Sequence, residues 1–341
     1  MRHNMRVLSK VRFGWSVAGA GAVFLGLGAA WCLFGQGPGP RRVENPQDFS
    51  LPGGSRVEFR SFAAPSIGHD AHCSVFLPPH YGEGDRNYPV VLFLHGLWND
   101  HTSWTMERYG NLPATLERLM VEGTIPECLL VHPDGENGFY TDYLDGSRRY
   151  EQELLADLVA FVSHEYRVGE GREWWSVGGV SMGGYGALKL ALKYPDRFAA
   201  AAAVSPIVLR AATLERLLTN QESRFAQFLS GVLRPVFGFP IDEEHWRAND
   251  LFSLAERAEN APPILIVYGT GDRYNGFLPL EDGIHELVER LRSRGIACTY
   301  VEDPGGPHGW ELVTAHLDEV ARFLTAPFRR LPAEAAARPV E

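Results

Sequence analysis

Three residues of this chain have the types and the order that nucleophilic acyl chemistry needs. Ser181 lies in Gly179-Val180-Ser181-Met182-Gly183, after an apolar run and before a helix-forming stretch at 184–193. In that context of strand, tight turn and helix, a serine is held at a strained elbow with its hydroxyl exposed, and the flanking glycines keep side chains out of the turn. A serine hydroxyl is a weak nucleophile at neutral pH, so it needs a base, and the base needs an orienting acid. Asp272 follows the apolar run 263–268 through Gly269-Thr270-Gly271, and His308 stands in the Gly/Pro loop after 297–301. The serine, acid, histidine order is the one this elbow requires. His308 is expected to take the proton from Ser181, and Asp272 to fix the imidazole tautomer. Other candidates rank lower: His285 and His316 fall inside predicted helices and His245 in a long insertion. Glu281 and Asp282 are remote from a strand end, and Asp303 is too near the base.

Acyl transfer also needs donors aimed at the developing oxyanion. The backbone N–H of Met182, next to the nucleophile and at a helix start, is one expected donor. The second is assigned to the N–H of Leu97, because the run 88–94 ends in His95-Gly96-Leu97-Trp98, where Gly96 lets the backbone turn toward the site. Trp98 and Tyr140 stand in strand-end loops, and Trp310 closely follows His308, so these three are the candidate walls of a substrate pocket. No metal site is expected: His69-Asp70-Ala71-His72-Cys73 alternates faces if it is a strand, and no Cys-x-x-Cys pair exists. Cys73, Cys128 and Cys298 sit in apolar strand-like runs and read as small buried residues.

The elements that must position these groups follow from the hydrophobic pattern. Continuous apolar runs at 88–94, 127–132, 175–180, 198–204, 263–268 and 297–301 alternate with helical spacing at 150–164, 184–193, 283–293 and 311–324. Such alternation predicts a mostly parallel sheet covered by helices on both faces, with 57–77 supplying antiparallel edge strands. One connection, 205–259, is too long for a plain crossover. It holds an amphipathic piece at 214–233 and a Pro/Gly/Phe break at 235–240, and is expected to form a cap or lid.

With 341 residues, 45% of them hydrophobic, the chain has enough apolar material for a large core, which excludes intrinsic disorder as a description of the whole. Six of the 32 basic residues and none of the 42 acidic ones precede residue 43, which leaves the body 16 charges negative. That balance argues against nucleic acid as a partner. Between Arg12 and Arg41 there is no charge, and 13–34 is almost wholly apolar. As a helix it would be about 33 Å long, enough to cross a membrane. Four basic residues before it and two after it place the N-terminus in the cytoplasm. The expected organisation is a cytoplasmic stub and signal anchor over 1–35, a linker over 36–50, the catalytic body over 51–330 on the extracytoplasmic side, and a disordered tail over 331–341. A cleaved signal, giving a secreted or periplasmic protein, is the alternative.

Taken together, His95-Gly96, Ser181-Met182-Gly183-Gly184-Tyr185-Gly186, Asp272 and Gly305-Gly306-Pro307-His308-Gly309-Trp310 resemble the putative-esterase branch of the α/β-hydrolases. That branch includes S-formylglutathione hydrolases, feruloyl and acetyl-xylan esterases, enterochelin esterases and mycolyltransferases. The resemblance runs over about 55–325 and implies an α/β-hydrolase fold, ester hydrolysis through an acyl-enzyme, and no cofactor. Members of that branch act on very different acyl groups, so the resemblance leaves the acyl group open; the expected partner is a small-molecule or envelope ester. Acyl transfer to an envelope glycan or lipid, and a catalytically silent binding protein on the same fold, stay open as alternatives, as does the oligomeric state.

Overall fold

The computed structural model describes residues 46–220 and 224–331. The apolar run expected to span a membrane and the tail from 332 onward lie outside the described residues. Among those described, no helix is long and apolar enough to cross a membrane.

Nine strands form one sheet: β1 Phe49–Ser50, β2 Arg56–Ala64, β3 His69–Leu77, β4 Val90–Leu94, β5 Leu129–Pro133, β6 Trp175–Val180, β7 Ala201–Val204, β8 Ile264–Gly269 and β9 Cys298–Asp303. Their spatial order is β1-β2-β3-β5-β4-β6-β7-β8-β9. The first three strands pair antiparallel and β3 joins β5 antiparallel, while β4 to β9 run parallel. This is the mostly parallel sheet with antiparallel edge strands expected from the alternating runs, and the arrangement that the α/β-hydrolase resemblance implies. The linker, expected to reach residue 50, ends earlier, because Phe49 and Ser50 pair with Val57 and Arg56 at the sheet edge.

The all-apolar strands explain why both faces are covered. Alternate residues of a strand point to opposite sides. Leu92 and Leu94 of β4 therefore enter one core with the helix Met182–Lys193, and Val91 and Phe93 enter another with the helices Leu112–Val121 and Leu317–Thr325. The chain leaves β4 for β5 on one side and returns to β6 on the other. The carboxyl ends of β4 and β6 are thus neighbours at the point where strand order reverses, the place where open α/β sheets gather ligands.

Three helical expectations need correction. The stretch 150–164 contains a π-helical segment, Glu153–Leu158, between Tyr150–Gln152 and Val159–Glu165. The stretch 311–324 is two helices, Trp310–Ala315 and Leu317–Thr325, separated at His316, whose ring meets Asp303 at 3.1 Å and Glu319 at 3.2 Å. The amphipathic piece expected at 214–233 is divided between two helices, and the break expected at 235–240 falls after Phe237. The insertion folds as Ala211–Thr219, Arg224–Phe237, Glu243–Asn249 and Leu251–Arg257, and Pro235 sits in the last turn of the second helix, where one lost backbone bond is tolerable. Asp242 and Asp250 cap the last two by accepting from the His245 and Ser253 N–H groups. Leu214, Leu218, Leu229 and Leu233 bind the insertion to the core that the helix Met182–Lys193 also lines.

Candidate active site

Ser181 joins β6 to the helix Met182–Lys193 with φ 59° and ψ −115°, a left-handed conformation that costs a non-glycine residue about 1–3 kcal/mol. Packing dictates the glycines around it. A Cβ on Gly179 would lie 2.3 Å from the Gly183 carbonyl oxygen, and one on Gly183 would lie 2.1 Å from that of Leu94. The turn is pinned to the sheet by the Ser181 N–H, which donates to the Val204 carbonyl at 2.9 Å.

The loops after β8 and β9 bring the other two groups to this elbow. His308 Nε2 lies 2.8 Å from Ser181 Oγ, and its Nδ1 lies 2.6 Å from Asp272 Oδ2. Asp272 accepts from the Tyr274 N–H at 2.8 Å through its other oxygen. With Nδ1–H donated to a carboxylate, the Nε2 lone pair faces the serine hydroxyl, the arrangement that lets imidazole accept its proton. The side chains of His308 and Asp272 are 5% and 1% exposed, so bulk water screens their interaction little. None of the other histidines or acids considered from sequence reaches Ser181. His285 meets Tyr300 and Glu302 of β9, and Asp303 meets His316.

Met182 opens its helix, so its N–H has no carbonyl one turn back to bind. Leu97 lies in the loop after β4, beside the elbow: a Cβ on its neighbour Gly96 would stand 3.2 Å from Ser181 Cβ. The Leu97 N–H has no acceptor among the described residues.

The three aromatic residues expected at the pocket wall separate. Trp98 is half-buried, with φ 62°, and its ring lies 5.0 Å from that of Phe228 and 5.8 Å from that of Phe225, both on the insertion. Tyr140 does not line a pocket. It is fully buried, donates to the His95 carbonyl at 3.0 Å, and has its phenol pushed well above the usual range by that burial. Trp310 is also a core residue, 7% exposed and stacked on Tyr109. Its indole N–H donates to Asn99 Oδ1 at 2.9 Å, so it fastens the His308 loop to the loop after β4. Both corrections have one cause: strand-end loops of this sheet are themselves roofed by other segments.

Sequence reasoning missed Tyr274, Phe225, Phe228 and Phe277. The Tyr274 ring meets His308 edge-on at 4.6 Å and stacks on Phe225 at 5.8 Å, with Phe277 at the edge of both. An aromatic arch thus runs from Trp98 through the insertion to Tyr274. Position two residues past a strand-end acid was a usable signal for Tyr274; the insertion rings had none. A crevice lined mostly by apolar side chains, among them Phe139, Tyr185, Ile207, Leu214, Leu233 and Phe237, lies between the helix Met182–Lys193 and the insertion and touches none of Ser181, His308 and Asp272.

Under the site lies a buried ion cluster. Lys189 and Lys193 both reach Glu151, Lys193 at 2.7 Å, and the Tyr194 hydroxyl donates to the same carboxylate. Burial raises the Glu151 pKa, but the two ammonium charges outweigh it and hold the carboxyl down at about 2. Among the described residues no group of three or more His, Cys, Asp or Glu side chains is arranged to hold a metal ion. Cys73 and Cys128 are buried, Cys298 is half-buried, and all three are free thiols.

A serine at a strand-to-helix elbow, hydrogen-bonded to a histidine that is held in turn by a carboxylate, the two coming from the last two strand ends, defines the α/β-hydrolase class. Within it, the chain belongs to the family described as "Putative esterase", whose model matches residues 64–324. It is 28% identical over 263 residues to "Esterase Rv1288" of Mycobacterium tuberculosis (strain ATCC 25618 / H37Rv), covering 74% of this chain and 55% of that protein. It thus spans about half the length of that relative. To the "Acetyl esterase" of Caldicellulosiruptor saccharolyticus it is 27% identical over 245 residues, covering 70% of this chain and 84% of that one. Among solved structures, an S-formylglutathione hydrolase from Agrobacterium tumefaciens superposes with a TM-score of 0.63 at 22% identity. That match covers 81% of this chain and 98% of the other.

Proposed function

We propose that this chain is a serine carboxylic-ester hydrolase working through an acyl-enzyme. The observation that carries the reading is the continuous relay from Ser181 Oγ through the His308 ring to Asp272, at 2.8 and 2.6 Å. Ser181 attacks the ester carbonyl as its proton passes to His308 Nε2. Asp272 holds the ring and stabilises the imidazolium, and the N–H groups of Met182 and Leu97 receive the oxyanion. His308 then gives the proton to the leaving alkoxide, and water repeats the sequence to release the acid. The esterase names of the family and of the acetyl esterase relative support the reaction class. The ring of Tyr274 against His308, and those of Phe225 and Trp98 beyond it, favour apolar substituents on the substrate. The uncharged run at 13–34 supports export of the body on a membrane anchor, facing small-molecule or envelope esters.

The test is turnover of p-nitrophenyl esters of rising acyl length together with fluorophosphonate labelling, on wild-type protein and Ser181→Ala. Labelling should vanish in the variant and kcat should fall by about 10⁴-fold or more. Full turnover by Ser181→Ala would remove the assignment.

A further inference from the structure

The two proposed oxyanion donors are held in different ways. Met182 is fixed by the helix it opens, whereas Leu97 lies in a loop, and something must keep that loop from swinging. The segment Asp134–Thr141, after β5, supplies the restraint. Its Asn137 Oδ1 accepts from the Trp98 N–H at 3.0 Å. The Gly135 N–H donates to His95 Nε2 at 3.0 Å, and the Tyr140 hydroxyl donates to the His95 carbonyl at 3.0 Å. Three hydrogen bonds thus tie one loop to a four-residue stretch centred on the Gly96–Leu97 peptide.

The restraining loop is itself strained and braced. Glu136, Phe139 and Tyr140 all have positive φ, at 47°, 52° and 50°, conformations that persist only where surroundings over-determine them. Asp134 accepts from the Glu136 N–H at 3.0 Å, Tyr150 donates to Glu136 at 2.7 Å, and Lys189 donates to Thr141 Oγ1 at 2.9 Å and to the Tyr140 carbonyl. Lys189 belongs to the helix that Met182 begins. One rigid element therefore presents the first donor and braces the loop that aims the second.

We infer that Asn137 is a positioning residue for the oxyanion hole, locking the Trp98 N–H so that the adjacent Leu97 N–H points at the acyl oxygen over Ser181. This rests on the serine hydrolase reading above. Trp98 is itself left-handed, at φ 62°, so its peptide needs an external partner to stay oriented. Asn137 touches no reacting atom. Its effect should be confined to states in which negative charge has developed on the acyl oxygen, because only then does a preorganised donor differ from a wandering one.

The experiment compares wild type, Asn137→Ala, Asn137→Asp and Ser181→Ala on p-nitrophenyl acetate, with a trifluoromethyl ketone as a probe whose serine adduct carries an oxyanion. Asn137→Ala should lose about 10- to 100-fold in kcat, somewhat less than outright removal of a donor, with KM within about threefold. Ketone affinity should fall in parallel with kcat/KM. Asn137→Asp, which keeps an acceptor for the Trp98 N–H, should recover most of the lost kcat, and this comparison keeps its meaning if the alanine variant is unstable. Wild-type kcat in Asn137→Ala, a loss carried by KM with unchanged ketone affinity, or an aspartate variant no better than alanine would each overturn the inference. An active Ser181→Ala would instead overturn the hydrolase reading beneath it.

Discussion

The two sides of the site are built by different physics. On the nucleophile side, the elbow at Ser181 is a backbone construction: glycines at 179 and 183 admit neighbouring carbonyls closer than any Cβ allows, and β6, β7 and one helix fix the geometry. On the opposite side, the proposed substrate side, the arch that meets His308 through Tyr274 consists of side chains donated by distant segments, Trp98 from the loop after β4, Phe225 and Phe228 from the insertion, and Tyr274 from the loop after β8. Backbone geometry is intolerant, because peptide groups cannot move aside. A ring contact contributes about 0.5–1.5 kcal/mol beyond its burial and can be exchanged for another. Chemistry should therefore fail sharply when the first side is altered, and selectivity should drift when the second is.

The largest break of this contrast is Gly183→Ala. Its methyl group would stand 2.1 Å from the Leu94 carbonyl oxygen and 2.7 Å from that of His95, both backbone atoms of the strand end that leads to the Leu97 loop. The expected outcome is failure to fold, or a stability loss above about 4 kcal/mol in urea titration. A variant folding with wild-type midpoint would show that the elbow is more yielding than its geometry implies.

A smaller effect concerns the ion cluster under the same helix. Glu151 has a native pKa of about 2, below its ordinary 4.5. A depressed carboxyl contributes stability that is fully present above the unfolded pKa and is lost as pH falls through the native one. The window is pH 4.5 to 2, and the contribution is of the order of 3 kcal/mol. Unfolding free energy should drop across that window more steeply in wild type than in Glu151→Gln. Equal slopes would mean that Lys189 and Lys193 do not hold the carboxylate as their contacts indicate.

What could be read from sequence follows the same division. Ser181, Asp272 and His308 announced themselves through local requirements: glycines flanking a serine, and polar residues directly after apolar strand runs. The parallel order of β4 to β9 was legible for the same reason, since a strand buried on both faces has a continuous apolar signature. Tyr140 and Trp310 were misread because position after a strand says nothing of what roofs the loop; here other segments bury both rings. Asn137 was invisible, its partner being a backbone N–H 39 residues away. His316, at the break between the last two helices, likewise pairs with Asp303, a contact across sequence rather than along it. Local sterics are written in neighbouring residues, and long-range side-chain pairing is not.

The smallest expected effect probes the arch itself. Phe228 is half-buried and its ring lies 5.0 Å from that of Trp98, one residue beyond the proposed Leu97 donor, yet it belongs to the insertion and touches none of the proposed reacting groups. Phe228→Ala removes one ring from the span between Trp98 and Tyr274 and leaves the Ser181, His308, Asp272 relay in place. Acetate turnover should stay within about twofold of wild type, while kcat/KM for an octanoate ester rises roughly fivefold, the scale of about 1 kcal/mol in a pocket of this kind. The opposite result, octanoate falling while acetate holds, would mean that the ring grips the acyl chain and does not close against it. Loss of both activities together would join the arch to the catalytic machinery and abolish the contrast between the two sides.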